Sequence, residues 1–418
     1  KAKGQLQVSC CLVARQPIML TKENPPVQIP GNSMLGACMA WDMLGGTTAV
    51  DIDASCVGID RNGKILMDET VYFADLTNTN GAMRHSGDEQ EGDEDLGQGD
   101  DEIIYLNLAQ IPPKVFAMII IGTVATEGRK FSDIKSATMR MRNLATGEEI
   151  CRYDPGTLGP HTALIMCRIA RTADGGWSIS PIGAPDHTAR DFGSLIPEIQ
   201  TYMTDIVPGL VPDPTAKVAV MRKGGHVKLN DYSANGQAVN NVTFGLAWDV
   251  TKGVEIDLDA SAIVLDQNLQ LVDTIYFKKL TSNDGAIRHC GDEREGDAKG
   301  DDEKINLTLA QITPQAAYIG FCINSYSGQE LDDVARTSCH VFDTATAKDL
   351  ATFKLTNCKS LDKKTAVLMG LLYRNGVRDQ FGIEGWSLHI MVEPAMGRAA
   401  TENVDELQNY LRRNPIPQ

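Results

Sequence analysis

The sequence predicts an all-β protein, two antiparallel β-sandwiches in tandem, each with a peripheral C-terminal helix. Three observations carry that prediction. The chain is one unit written twice: Met39-Ala40-Trp41-Asp42 returns as Leu246-Ala247-Trp248-Asp249, and Val50-Asp51-Ile52-Asp53-Ala54-Ser55 returns as Ile256-Asp257-Leu258-Asp259-Ala260-Ser261. A period of half the chain marks a domain duplication rather than a solenoid. Within each copy the apolar runs are short, β-branched and punctuated by Gly, Asn, Asp or Pro, and no helical pattern alternates with them. That combination selects a sandwich over a parallel α/β sheet.

The 418 residues suffice for two domains with real cores, and 42% hydrophobic against 22% charged residues is an ordinary globular balance. The start, residues 1–20, has no sustained apolar segment, and Lys1 is not an initiator, so residues are expected to precede it. Ten cysteines are scattered rather than framed: Cys56 faces Ala262 and Cys290 faces Ser86 across the repeat. Unpaired small core residues in a reducing, cytoplasmic compartment are expected. No apolar run approaches the roughly 20 residues of a membrane span, and no Lys/Arg stripe suits nucleic acid.

Strands are expected over 64–68, 70–73, 103–108, 115–122 and 137–142. Hairpin turns are expected at 143–147 and 343–347. Residues 194–207 place Leu195, Ile196, Ile199, Met203 and Ile206 mostly on one helical face behind Ser194 as a cap. Its counterpart begins Asn403-Val404-Asp405-Glu406, a cap followed by Glu at the third position. Pro208, Pro212 and Pro214 stop the first helix and stiffen the segment after it. The expected organisation is therefore a first domain over 1–207, a linker over 208–217 and a second domain over 218–418. The four tryptophans, Trp41, Trp177, Trp248 and Trp386, read as core.

Charge is concentrated in two loops. Residues 87–102 carry nine carboxylates and no basic residue, and residues 291–303 carry seven against Arg294 and Lys299. These two stretches hold 14 of the 16 net negative charges. Such crowding costs self-repulsion unless something positive sits inside. Asp51 and Asp53, two apart on a strand, project their carboxylates from one face, as do Asp257 and Asp259. Val57 and Ile59 share the aspartate face, so each pair is expected where its strand leaves the core.

A hard cation such as Ca²⁺ takes 6 to 8 oxygen ligands, and acidic glycine-rich loops supply them. Asp88, Glu91, Asp93, Asp100, Asp101 and Glu102 are candidates to wrap an ion against Asp51 and Asp53. Asp292, Glu295, Asp297, Asp301, Asp302 and Glu303 are candidates against Asp257 and Asp259. The EF-hand spacing is not met from Asp88. His85 and His289, just before the loops, are expected to hydrogen-bond backbone and fix loop entry. No nucleophile elbow, HExxH, P-loop or Rossmann motif is present, so a non-enzymatic protein is expected.

The combination of Trp-Asp, Asp-x-Asp-Ala-Ser, Gly-Ala-x-Arg-His-x-Gly-Asp and Gly-Asp-Asp-Glu, present twice, resembles the TerD family of tellurium-resistance and stress-response proteins. The resemblance covers nearly the whole chain. It implies a two-sheet sandwich with peripheral helices that binds Ca²⁺ through the aspartate pair and the acidic loop. By motif position it carries over to Asp51, Asp53, Asp88, Asp93, Asp100, Asp101 and Glu102, and to Asp257, Asp259, Asp292, Asp297, Asp301, Asp302 and Glu303. Where the family usually has Gly-Asp-Asn and a Thr-Gly pair, both copies here have Gly-Asp-Glu and Glu-Gly, and the first loop is three residues longer. Three functions are thereby expected: a tandem calcium-binding protein of stress or signalling type, a calcium-stabilised component of a larger assembly with protein partners or further copies of itself, and a cyclic-nucleotide binder. The last rests on a tandem slime-mould cAMP-binding protein in the family.

Overall fold

The computed structural model describes residues 18–19, 24–42, 49–89, 99–154, 159–233, 238–249, 258–291, 301–326, 328, 330–331, 336–355, 361, 363–378 and 382–416. The chain forms two compact units, one of residues 1–190 with 205–210, the other of residues 191–204 with 211–418.

In the first unit the described strands are β1 (Ile18–Met19), β2 (Val27–Ile29), β3 (Met34–Asp42), β4 (Ile52–Ile59), β5 (Met83–His85), β6 (Glu102–Asn107), β7 (Ala117–Val124), β8 (Ser136–Asn143), β9 (Glu149–Tyr153), β10 (Ala163–Arg171) and β11 (Trp177–Asp186). They make a six-stranded sheet in the order β1-β9-β8-β3-β6-β5 and a five-stranded sheet in the order β2-β11-β10-β7-β4. Trp41, Met83, Ile104 and Met139 from the first sheet meet Ile52, Cys56, Met118 and Trp177 from the second in one core. In β6 burial alternates, with Glu102, Ile104 and Leu106 inside, as a strand with one core face requires. By contrast β4 and β7 are buried at every position, and their sequences are correspondingly apolar on both faces apart from Asp53, Ser55 and Thr123.

The second unit opens on the short helix α1 (Ile196–Thr201) and repeats the sandwich. One sheet runs β12 (Ala219–Val220), β21 (Lys348–Leu355), β20 (Arg336–Asp343), β14 (Asn241–Asp249), β18 (Glu303–Thr308), β17 (Ile287–His289). The other runs β13 (His226–Lys228), β23 (Glu384–Ala395), β22 (Ala366–Arg378), β19 (Tyr318–Ser325), β15 (Leu258–Leu265), β16 (Leu271–Ile275). Helix α2 (Val404–Arg413) lies on the outer face of that second sheet, where Leu407, Tyr410 and Leu411 join Ile263, Cys322 and Leu371 in a second apolar layer. Gly320 permits this approach, because a Cβ there would stand 2.6 Å from Leu407 Cδ2. Each leucine so buried contributes roughly 1.5–3 kcal/mol.

All four tryptophans are buried, as expected. Both hairpin turns form, with Gly147 and Ala347 at positive φ. The antiparallel sandwiches form as expected, with two-residue parallel pairings at one edge of each, β1 with β9 and β12 with β21. Four expectations are corrected. Neither 64–68 nor 70–73 is a strand; the chain makes isolated bridges at Ile65, Val71 and Tyr72 on either side of a 3₁₀ turn over Met67–Glu69. Asp191, not Ser194, caps the first terminal helix region: its carboxylate accepts from Ser194 N at 3.0 Å and from Val220 N at 3.3 Å. Asn403 does not cap α2 with its side chain, which turns inward to accept from Gly397 N at 2.9 Å.

The helix placed by sequence with the first sandwich belongs by packing to the second unit. Asp191 reaches Val220, Ser194 Oγ lies 3.0 Å from the Tyr232 hydroxyl, and Gly193 fits against Val218, whose carbonyl oxygen leaves no room for a Cβ. The α-helix ends at Thr201, short of the expected 207, residues 205–210 belong to the first unit, and the proline-rich stretch contains the last change of unit, between Leu210 and Val211.

Candidate metal centre

Strand β4 is an edge, and its outward N–H groups need acceptors that a neighbouring strand does not supply. Cys56 exchanges backbone bonds with Val71, and Gly58 N donates to Thr70 Oγ1 at 3.2 Å. Ala54 N donates to Glu102 Oε2 at 2.7 Å. The Glu102 carboxylate is wholly buried, and its other oxygen accepts from Glu89 N at 3.3 Å. His85 Nδ1 accepts from Gly87 N at 3.1 Å, so Nε2 carries the proton and sits 3.2 Å from Ala54 O and 3.3 Å from Glu102 Oε2. One buried knot thus ties the loop's entry, at Gly87 and Glu89, to its exit at Glu102 and to the aspartate strand. Burial pushes the Glu102 pKa up, against the opposing hydrogen bond and charge of His85.

The second unit repeats the knot. Ala260 N donates to Glu303 Oε2, His289 Nε2 stands 2.9 Å from Ala260 O, and Gly291 N donates to His289 Nδ1 at 3.2 Å. Burial pulls the His289 pKa down, but the hydrogen bond and charge of Glu303 outweigh it and leave it raised. Both histidines therefore fix loop entry, as the sequence suggested.

The cation candidate sits above this knot in the first unit. Asp51, Asp53 and Asp88 each bring a carboxylate oxygen to within 4.8 Å of the other two, with Asp53 buried, Asp51 half-buried and Asp88 exposed. The interior core takes Ile52, Ala54 and Cys56, so the aspartates occupy the opposite face of β4. The approach to them is pinned: Asp51 N donates to Thr126 Oγ1 at 2.8 Å, and Trp41 Nε1 donates to Val50 O at 3.1 Å.

The Gly-Asp-Asp-Glu acids make hydrogen bonds and ion pairs of their own. Asp100 pairs with Arg140 and, at 3.2 Å, with Arg142. Asp101 Oδ2 accepts from Trp41 N at 2.7 Å, and Glu102 belongs to the buried knot. None of the three joins the Asp51, Asp53 and Asp88 cluster. In the second unit Asp301 binds His340 Nε2 at 2.8 Å with Lys304 at 3.6 Å, Asp302 accepts from Trp248 N at 2.8 Å, and Glu303 accepts from Ala260. Asp259 is buried and in register with Asn324. Glu91, Asp93, Asp257, Asp292, Glu295 and Asp297 lie outside the described residues.

Sequence reasoning missed Arg140, Arg142 and His340, which anchor the loop exits. Arg140 and Arg142 were legible as two cations spaced to share a strand face, but their partner lies some forty residues away in sequence.

The TerD domain profile matches residues 12–192 and 218–386. The chain belongs to the TerD family. Among its TerD relatives, the tellurium resistance protein TerZ of Serratia marcescens is 37% identical over 154 residues, covering 34% of this chain and 78% of that protein. Tellurium resistance protein TerD of the same organism is 32% identical, covering 40% of this chain and 88% of its own length. General stress protein 16U of Bacillus subtilis is 31% identical, with 41% and 89% covered. A solved Streptomyces coelicolor homologue of the TerD telluride resistance protein shares 20% identity, at a TM-score of 0.34 over 41% of this chain and 98% of that one. Each of the three sequence matches spans most of the relative and less than half of this chain, as a tandem TerD protein requires.

Three carboxylate oxygens within 4.8 Å suit a hard cation: ligand oxygens about 2.3–2.6 Å from a calcium ion define a shell of nearly that diameter. Asp51, Asp53 and Asp88 are the residues that fit it in the first unit. All donors in the cluster are oxygen, which disfavours zinc or copper there.

Proposed function

We propose that this TerD protein is a non-enzymatic calcium-binding protein of stress-response type, with one composite site per domain. The convergence of Asp51, Asp53 and Asp88 carries the reading. Asp53 is 2% exposed, and an aspartate so buried beside two others needs positive charge nearby. A divalent cation supplies it and offsets the repulsion of the acidic loop. Glu91 and Asp93 in the first loop, and Asp257, Asp259, Asp292, Glu295 and Asp297 in the second domain, are proposed to complete the two sites. The names of the relatives, tellurium resistance and general stress proteins, support a role in stress. The described cysteines are all unpaired, and all but Cys290 are buried, which supports a reducing, cytoplasmic setting.

The test is isothermal titration with Ca²⁺ at physiological salt on the full chain and on Asp53→Asn. Uptake of at least one ion per domain is expected, with the first-domain site weakened at least tenfold in Asp53→Asn. No uptake, or uptake indifferent to Asp53→Asn, overturns the reading.

A further inference from the structure

The first unit holds a second group of ligating atoms away from the carboxylates. His161, just before β10, is fully buried, and neither of its ring nitrogens has a hydrogen-bond partner. Native folds rarely leave a buried imidazole in that condition unless something other than protein satisfies it. The ring of His187 lies 6.5 Å away, centroid to centroid, at 84°. His187 is exposed, and its Nδ1 is 3.2 Å from Pro160 O. That carbonyl accepts the Nδ1 proton and leaves the Nε2 lone pair available, the arrangement in which histidines bind metals. Phe131, 5.2 Å from His161, covers the inner side.

We propose that His161 and His187 form a site for a borderline divalent transition-metal ion of the Zn²⁺ class, with water completing the shell. Imidazole nitrogens prefer such ions to Ca²⁺ or Mg²⁺. Two imidazoles sharing a tetrahedral ion at Zn–N distances of 2.0–2.1 Å have centroids about 5–5.5 Å apart. The observed 6.5 Å is wider, and a swing of exposed His187 by roughly 1 Å closes the pair on an ion. Burial, with the neighbouring His187, holds the His161 pKa below its ordinary value, so the ring stays neutral and able to ligate. Exposed His187 gives the ion a path in.

The site is separate from the carboxylate cluster and does not depend on it. Asp51 O accepts from Ala125 N, and Val124 N donates to Thr162 O, so His161 stands two strands across the sheet from Asp51, about 10 Å at the usual spacing. It also belongs to the first domain alone. Leu331 N donates to Lys364 O as Phe131 N donates to His161 O, and Ala366 pairs with Ala395 as Ala163 pairs with Asp186. By that register Lys364 and Met396 occupy the two histidine positions in the second domain.

The test is calorimetric titration of the full chain with Zn²⁺ under saturating Ca²⁺, with Co²⁺ absorption as a report on ligand type, in a background where Ser replaces Cys290, exposed among the described residues, and Cys10, Cys11 and Cys358. One Zn²⁺-class ion is expected with imidazole bands for Co²⁺, and its affinity should fall at least tenfold in His187→Gln, whose exposed position leaves folding intact by circular dichroism. His161→Gln should do the same, and the double variant Lys364→His with Met396→His should add a second ion. Absence of uptake, affinity unchanged in His187→Gln, or uptake lost instead in Asp53→Asn would overturn the proposal. Loss of Ca²⁺ uptake alone would leave it standing.

Discussion

The indole Nε1 of Trp41 donates to the Val50 carbonyl at 3.1 Å, one residue before Asp51, while the Trp41 backbone N–H donates to Asp101 at 2.7 Å. A single buried residue therefore links the exit of the acidic loop to the start of the aspartate strand. Trp41→Phe keeps most of the packing and removes the indole bond. Stability should fall by about 0.5–1.5 kcal/mol, the net value of one such hydrogen bond. Ca²⁺ affinity at the first site should fall several-fold with it. Urea denaturation and calorimetry on the same sample check both, and unchanged affinity would show that Val50 is held by other means.

Glu102 holds the edge of β4. In Glu102→Gln the amide must bring a donor against either Ala54 N–H or Glu89 N–H, leaving one buried donor without an acceptor. A loss of about 1–3 kcal/mol is expected. It should appear as a lower denaturation midpoint with an unaltered slope. A loss of Ca²⁺ binding with stability intact would return Glu102 to the ligand set.

His340 lies between Asp301 and Asp349, 2.8 Å from the first. Burial opposes its charge, but the two carboxylates prevail and raise its pKa to about 9. Because the folded value exceeds the ordinary 6.5, the stabilisation is fully present below about pH 6.5 and is lost as pH rises through about 9. Histidine NMR titration should place His340 near that value, and stability between those limits should be flatter in His340→Gln. An ordinary titration would show that Asp301 and Asp349 do not hold the His340 proton.

His389 shows the opposite sign. It is buried, stacked on His226 with centroids 4.0 Å apart, and hydrogen-bonded through Nε2 to the Tyr410 hydroxyl at 2.7 Å. Burial first, and then the charge of His226, lower its pKa to about 4. The unfolded chain then binds the proton more readily, so stability is present above about pH 6.5 and is lost as pH falls through about 4. Tyr410 lies on α2, so thermal melts should show that loss, and the His389 resonances should not titrate in the neutral range. A midpoint near 6.5 would contradict it.

Much of this protein was legible in its sequence because the relevant physics is local. The period of two placed Asp51 and Asp53 on one face, the duplication announced two sandwiches, and the Asn- and Asp-led turns located hairpins at 143–147 and 343–347. His85 and His289 could be assigned to loop entry because their partners, Gly87 and Gly291, are two residues away.

Tertiary structure decided the rest. Asp100, Asp101 and Glu102 are equivalent to a sequence reader, all acidic and all in the loop, yet they meet Arg140, Trp41 and Ala54 respectively. It also put the helix after Asp191 with the second unit, through Val220 and Tyr232. Composition and spacing fix which groups a segment offers and which face they share. Their partners come from strands tens of residues away, and only the folded register brings those strands alongside.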